Sequence, residues 1–306
     1  MNKQIKMITD IPQYSQWRNI EIPQWGWSQH NKFKVTDGSG QAYLVRVADI
    51  STYGEREAEF KNFQRLFSMG INVSRPFELG ICNGGKSVYM LMGWIEGVAV
   101  EDVLKDLDSA TQYSLGVKAG EILRKMHDAS AATAETSWEH SFGKRLDDEI
   151  AAYHETGITM PPEKAILEYV TNNRHLLSAR PQVIRHGDFH IGNLIITPNG
   201  ELGLIDCEIC SPGDGWEEFG GLVWAARLSR EFPKGQVDGY FGGQVPEDFF
   251  GLLALYIGWY AIGHVVRSMR HSAHEEGIRD IMANTSFMSA MFDEFTTSIP
   301  NWYRSI

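Results

Sequence analysis

The stretch from His186 to Glu208, HGDFHIGNLIITPNGELGLIDCE, decides how the chain is read. Two short apolar runs, Leu194-Ile195-Ile196 and Leu202-Gly203-Leu204-Ile205, flank Thr197-Pro198-Asn199-Gly200-Glu201. An Asn-Gly pair between such runs signals a hairpin, because both residues tolerate the positive φ of a two-residue turn. With the turn at Asn199-Gly200, facing residues have numbers summing to 399, so Ile195 meets Leu204 and Asn193 meets Asp206. Directly opposed residues hold their Cβ atoms roughly 4.5 to 5.5 Å apart, close enough for an amide oxygen and a carboxylate to share one hard cation. Such a donor pair suits magnesium, which takes few protein ligands and completes its shell with water and substrate phosphates. Asp188, five residues before Asn193 on the entering loop, would stand beside the ion without binding it, as a base should.

The string H-G-D-x-x-x-x-N, followed by a hairpin and I-D, resembles the aminoglycoside phosphotransferase and choline kinase group of small-molecule kinases. The corresponding parts of protein kinases are the H-R-D-x-x-x-x-N loop and the D-F-G aspartate. The resemblance implies an α+β, two-lobed, protein-kinase-like fold, with a small antiparallel-sheet lobe over residues 1–96 and a mainly helical lobe over residues 97–306. It makes Asp188 the catalytic base, Asn193 and Asp206 the magnesium ligands, and ATP or GTP the phosphoryl donor. Gly187 in place of the protein-kinase Arg points to the small-molecule branch.

Composition is that of an ordinary globular protein: 306 residues, 43% hydrophobic and 22% charged, with a net charge of -11. The charge is uneven. Residues 1–96 carry 11 Lys and Arg against 9 Asp and Glu, whereas residues 97–306 carry 17 against 30. A near-neutral first part tolerates a polyphosphate, and an acidic second part attracts cations and repels nucleic acid. Three cysteines are too few for a disulfide framework, and MNKQIKMITDIPQ lacks the apolar core of a signal peptide, which together suit a reducing cytoplasm. Phe249 to Val266 is apolar enough to reach the lower edge of membrane-spanning length, but three glycines and His264 favour a buried core helix.

In chain order, FKV and AYLVRV flank Asp37-Gly38-Ser39-Gly40, a second hairpin signal. By the resemblance, Gln24 to His30 is the phosphate-covering loop. It has one glycine where protein kinases have three, so Ser28, Gln29 and His30 would meet the phosphates through backbone N-H groups or short side chains. Arg46 falls where the third-strand lysine normally sits and keeps its charge, with Lys34 as a substitute cation. In the helical pattern Gly54 to Met69, Glu59 best matches the glutamate that positions this cation, and Glu57 is its rival. Ser87 to Met92 is a β-type run, and by the resemblance Gly93 to Gly97 after it is the hinge, where backbone groups of Gly93 and Ile95 would bind the base and Met92 would guard the pocket.

Tyr113 to His127 is amphipathic at helical spacing, interrupted by Gly116 and Gly120, and His127 reads as a structural group at its end. His186 and His190 lack the helix and glutamate of a zinc-protease pair, and Cys207 and Cys210 lack further soft ligands. Gly213 to Phe219 resembles the family's G-D-P-x-x-D segment, so Glu217 and Glu218, with Glu208, are candidate contacts for a cationic acceptor. The expected reaction is phosphorylation of a hydroxyl on a basic antibiotic, as in antibiotic resistance, or on an amino alcohol or amino sugar. The alternative from another class is a non-catalytic nucleotide-binding pseudokinase. A monomer or homodimer without nucleic-acid or membrane partners is expected.

Overall fold

The computed structural model describes residues 2–23, 31–129, 135–207, 210–271 and 275–304. Period-two alternation builds its larger sheet. Strands β1 (Trp17–Glu21), β2 (Asn31–Asp37), β3 (Ala42–Asp49), β4 (Pro76–Cys82) and β5 (Ser87–Gly93) form an antiparallel sheet in the order β1-β2-β3-β5-β4. Successive side chains of a strand point to opposite faces. Phe33, Val35, Val45 and Val47 therefore share one face with Tyr89 and Leu91, and Ile8, Ile11 and Trp17 cover them. Lys32, Lys34 and Arg46 occupy the alternate positions. Helix α1 (Tyr53–Ser68) follows β3 and buries Glu59, Phe60, Phe63 and Leu66.

The hairpin at the centre of the sequence reading differs from its expected register. Strands β8 (Leu194–Ile196) and β9 (Leu202–Leu204) pair Ile195 with Gly203 and Ile196 with Leu202, so facing numbers sum to 398. The Thr197 N-H donates to the Glu201 carbonyl and the Gly200 N-H to the Thr197 carbonyl, leaving three residues in the loop. Pro198 is the reason: its fixed φ suits the first corner of a type I turn, after which a single glycine takes the left-handed conformation. Gly200 has φ +77°, and Asn199 is not among the positive-φ residues. The Asp37 hairpin has the same geometry, with Gly40 (φ +89°) donating to Asp37 and Asp37 N-H donating to Gln41. Asn193 consequently lies opposite Ile205, whose N-H it accepts at 3.0 Å. Asp206, one residue further on, has a left-handed backbone of φ +57°.

The chain forms two compact units, Met1–Val100 with Gly192–Cys210, and Glu101–Ile191 with Ser211–Ile306. A single cut at residue 96 would leave the hairpin with the helical part. It joins the first unit instead, because β6 (Val98–Ala99) pairs with β8 and the Leu204 N-H donates to the Asn72 carbonyl.

In the second unit, α2 (Val100–Val103) leads into α3 (Ser109–Asp128), which Asp108 caps by accepting the Thr111 N-H. Helices α4 (Trp138–Glu155) and α5 (Glu163–Asn172) follow, then the antiparallel pair β7 (Gln182–Arg185) and β10 (Ser211–Asp214). Helices α6 (Leu222–Ala226), α7 (Glu231–Phe241), α8 (Phe249–His271) and α9 (Glu275–Ala290) complete it. The apolar part of α8 is long enough to cross a membrane, yet 83% of it is buried inside the protein. It is a core helix.

Helices α3 and α7 approach so closely that only glycine fits. A Cβ on Gly116 or Gly120 would lie 2.1 Å from the Phe232 or Gln236 carbonyl oxygen, and one on Gly235 or Gly239 would lie 2.2 or 2.3 Å from a carbonyl of α3. Gly143, in α4, has nothing within 4 Å of its missing Cβ. Gly116→Ala is expected to destabilise the protein by about 3 kcal/mol or more through overpacking. Gly143→Ala should stabilise it by about 0.5–1 kcal/mol through helix propensity. Thermal and denaturant unfolding of the two variants checks both signs.

Candidate active site

In the first unit a buried carboxylate organises the charged face of the sheet. Glu59, 2% exposed, accepts Arg46 Nη1 on Oε1 at 2.5 Å and Arg56 Nη1 on Oε2 at 2.6 Å. Burial raises its pKa, and the two guanidiniums pull it back. The structure thus brings together Arg46 and Glu59 as paired in the sequence reading. The rival Glu57 is half-buried and pairs with Lys61 at 3.0 Å.

Beside this cluster stands a residue that the sequence reading passed over. Lys32 lies directly across β2 and β3 from Arg46, and its Nζ is 3.9 Å from Asp206 Oδ1. Burial lowers the Lys32 pKa, Arg46 adds to this, and Asp206 opposes it. The substitute cation Lys34 lies elsewhere, 3.6 Å from Glu96 and over the Trp94 ring. Alternation and the Asp37 hairpin contained the signal, because a three-residue loop there sets residue 32 opposite residue 46. Arg56, three residues before Glu59, was also legible as a helical neighbour.

Asn193 and Asp206 meet the chemical test for magnesium. Both donors are hard oxygens, and the Asp206 side chain is 41% exposed, so its carboxylate can take further partners. Asn193 is buried and tied by its backbone to Ile205.

In the second unit, the turn His186-Gly187-Asp188 is tightly held. Gly187 has φ +86°, a conformation costly for other residues, and its N-H donates to Glu218 Oε1 at 2.9 Å. The Asp188 N-H donates at 3.2 Å to Nδ1 of the fully buried His186, which places the His186 proton on Nε2. The Asp188 side chain is 51% exposed, with His190 Nε2 3.5 Å from one carboxylate oxygen. Asp188 lines a cavity of about 710 Å³ whose wall includes Glu101, Asp280, Trp224, Trp259 and Tyr260. The Trp224 ring, half exposed, stacks on His190 with centroids 4.5 Å apart.

Glu217 and Glu218 also line this cavity, but both are buried and engaged. Glu217 forms ion pairs with Arg185 and, at 3.5 Å, with Arg145; Glu218 holds Gly187. Glu218 thereby holds the turn that carries Asp188, while Glu217 is occupied by two arginines. At the end of β5, Met92 is fully buried. The Gly93 N-H already donates to Arg75, so only its carbonyl oxygen can serve a nucleobase. Ile95 packs its side chain toward Gly203. Ser28, Gln29, His30 and Glu208 lie outside the described residues. Cys207 is buried with its thiol pKa pushed well up by burial, and Cys210 Sγ contacts its carbonyl, so the pair is packing.

A small antiparallel sheet whose cation is tied to a helix glutamate, together with an exposed aspartate on an H-G-D turn of a helical unit, defines a kinase-like small-molecule phosphotransferase. The chain belongs to the phosphotransferase enzyme family, whose pattern matches residues 19–251. Solved structures share the fold. A thermostable mutant of aminoglycoside phosphotransferase APH(4)-Ia, in complex with ADP and hygromycin B, superposes with a TM-score of 0.63 at 16% identity, covering 93% of this chain and 96% of that one. Wild-type aminoglycoside 2'-phosphotransferase-IIIa with GDP gives 0.67 at 14% identity over 94% and 99%. A choline/ethanolamine kinase family protein from Mesorhizobium loti gives 0.64 at 14% over 94% of each. No curated protein matches the chain in sequence.

His127, at the end of α3, is structural. It is buried with Nδ1 2.9 Å from the Tyr240 hydroxyl, and burial, aided by Arg185, depresses its pKa from 6.5 to about 4. Between these values the unfolded chain binds a proton that the folded one does not, so stability falls as pH drops from 6.5 toward 4. The loss attributable to His127 is expected to be about 3 kcal/mol. Chemical denaturation of the wild type and His127→Gln across this window measures it: the variant should show the shallower decline.

Proposed function

We infer that the protein transfers the terminal phosphoryl group of ATP or GTP to a hydroxyl of a small, cationic acceptor. The observation that carries this reading is the Asp188 carboxylate, exposed on the wall of a cavity large enough for a drug-sized molecule while its turn is held by His186, Gly187 and Glu218. A base must be positioned without being consumed by its own neighbours, and bracing through backbone N-H groups does this.

In the reaction, the acceptor oxygen forms a bond to the γ-phosphorus, the bond to the nucleoside diphosphate oxygen breaks, and the hydroxyl proton passes to Asp188. Asn193 and Asp206 would hold magnesium, which when bound neutralises charge on the phosphates. Positioning and charge neutralisation supply most of the rate in this chemistry. Glu101, Asp188 and Asp280 share the cavity wall with Arg227 and Arg267, and the aromatic faces of Trp224, Trp259 and Tyr260 suit an acceptor carrying an ammonium group. The net negative charge of residues 97–306 adds to that preference. The complexes of fold relatives with ADP or GDP, and with hygromycin B, support both the donor and a basic antibiotic as acceptor. The choline/ethanolamine kinase relative supports an amino alcohol as the second reading. The protein would act in the cytoplasm, as a resistance enzyme on the first reading and a metabolic one on the second.

Asp188→Ala is expected to lower phosphotransfer by about 10²- to 10⁴-fold and to leave nucleotide affinity within about twofold. A coupled assay with magnesium and a panel of basic antibiotics, amino sugars and amino alcohols, paired with calorimetric nucleotide titration, reads both quantities. Undiminished turnover in Asp188→Ala would overturn the assignment.

A further inference from the structure

We propose that Lys32, on the second strand, is the side chain that contacts the phosphates of the nucleoside triphosphate, and that Arg46 serves as a buried strut. The proposal rests on the phosphotransferase reading above and concerns how the first unit divides work between two adjacent cations.

Arg46 occupies the third-strand position but is turned inward. Its side chain is 3% exposed, the Glu59 side chain it meets is 1% exposed, and the two are 2.5 Å apart. Arg56 takes the other Glu59 oxygen at 2.6 Å, so this carboxylate is clamped from both sides. With its side chain 3% exposed and Nη1 committed to Glu59, Arg46 presents little surface to a phosphate.

Lys32 is the cross-strand neighbour of Arg46, on the same face of the sheet. Its ammonium points to Asp206, 3.9 Å away, and Asp206 is 41% exposed. Lys32 thus leads from the buried cluster to the carboxylate that carries the metal-ligand assignment. Arg46 and Arg56 are both committed to Glu59, with Glu55 a further 3.6 Å partner of Arg56, whereas Lys32 faces Asp206 across 3.9 Å. An ammonium on a flexible four-carbon stem is suited to follow phosphate oxygens as a point charge. A 3.9 Å separation from Asp206 is longer than a hydrogen bond, so a phosphate oxygen can draw the ammonium without breaking a close contact.

Calorimetric titration of the full chain with MgATP and MgGTP, and with adenosine and guanosine, tests this on wild type, Lys32→Met and Lys32→Arg, after thermal melting shows each variant folded. Lys32→Met should weaken binding of the preferred triphosphate by about 10- to 100-fold and leave the matching nucleoside within about twofold. Lys32→Arg should recover most of the loss. If Lys32→Met binds triphosphate within twofold of wild type, or if nucleoside and triphosphate weaken together, the phosphate contact is disproved while nucleotide binding itself stands. If wild type binds neither nucleotide, the phosphotransferase reading fails and this inference with it.

Discussion

Glu59 sits almost entirely out of water, and the first unit is built to tolerate it. Burying a carboxylate is unfavourable unless charge and hydrogen bonds replace its hydration. Arg46 from β3 and Arg56 from α1 supply both, at 2.5 and 2.6 Å. The pair ties the helix to the middle of the sheet, and it fixes the positively charged face along which Lys32 and Asp206 are aligned. Removing one partner would leave a buried charge without compensation, a larger penalty than the net worth of the pair. The ion pair is therefore better understood as a device for placing charge than as a source of stability.

That constraint explains why a position read from sequence can carry a different task in the folded chain. The resemblance pairs Arg46 with Glu59, and the two are in contact at 2.5 Å. Lys32 was missed because its significance arises from pairing with Arg46 and from the approach of Asp206, 174 residues away in sequence. The hairpin shows the opposite failure. Asn199-Gly200 was given a two-residue turn although Pro198 already specified a type I corner, and one residue of register separates Asn193–Asp206 from the observed Asn193–Ile205 pairing. Gly116 and Gly120 looked like weak points of a helix. Their purpose is visible only when Gly235 and Gly239 of α7 face the same helix.

The second unit applies similar economy to its carboxylates. Glu217 pairs with Arg185 and Arg145, and Glu218 accepts the Gly187 N-H. Asp188 is left on the cavity wall with a turn that cannot easily shift. Sequence could show which residue types lie near Asp206 in the chain, but burial and pairing decide which of them remain available to a substrate. Glu101, Asp280 and Trp224, whose ring stacks on His190, line the same cavity.

The most direct measurement of this account follows a labelled γ-phosphoryl group. With γ-³²P-labelled ATP or GTP, magnesium and a mixed panel of hydroxylated amines, the account predicts label on the hydroxyl of an ammonium-bearing acceptor, with matching nucleoside diphosphate. A protein that binds the nucleotide tightly but leaves all label in triphosphate, or releases it only as inorganic phosphate with every acceptor, would contradict it.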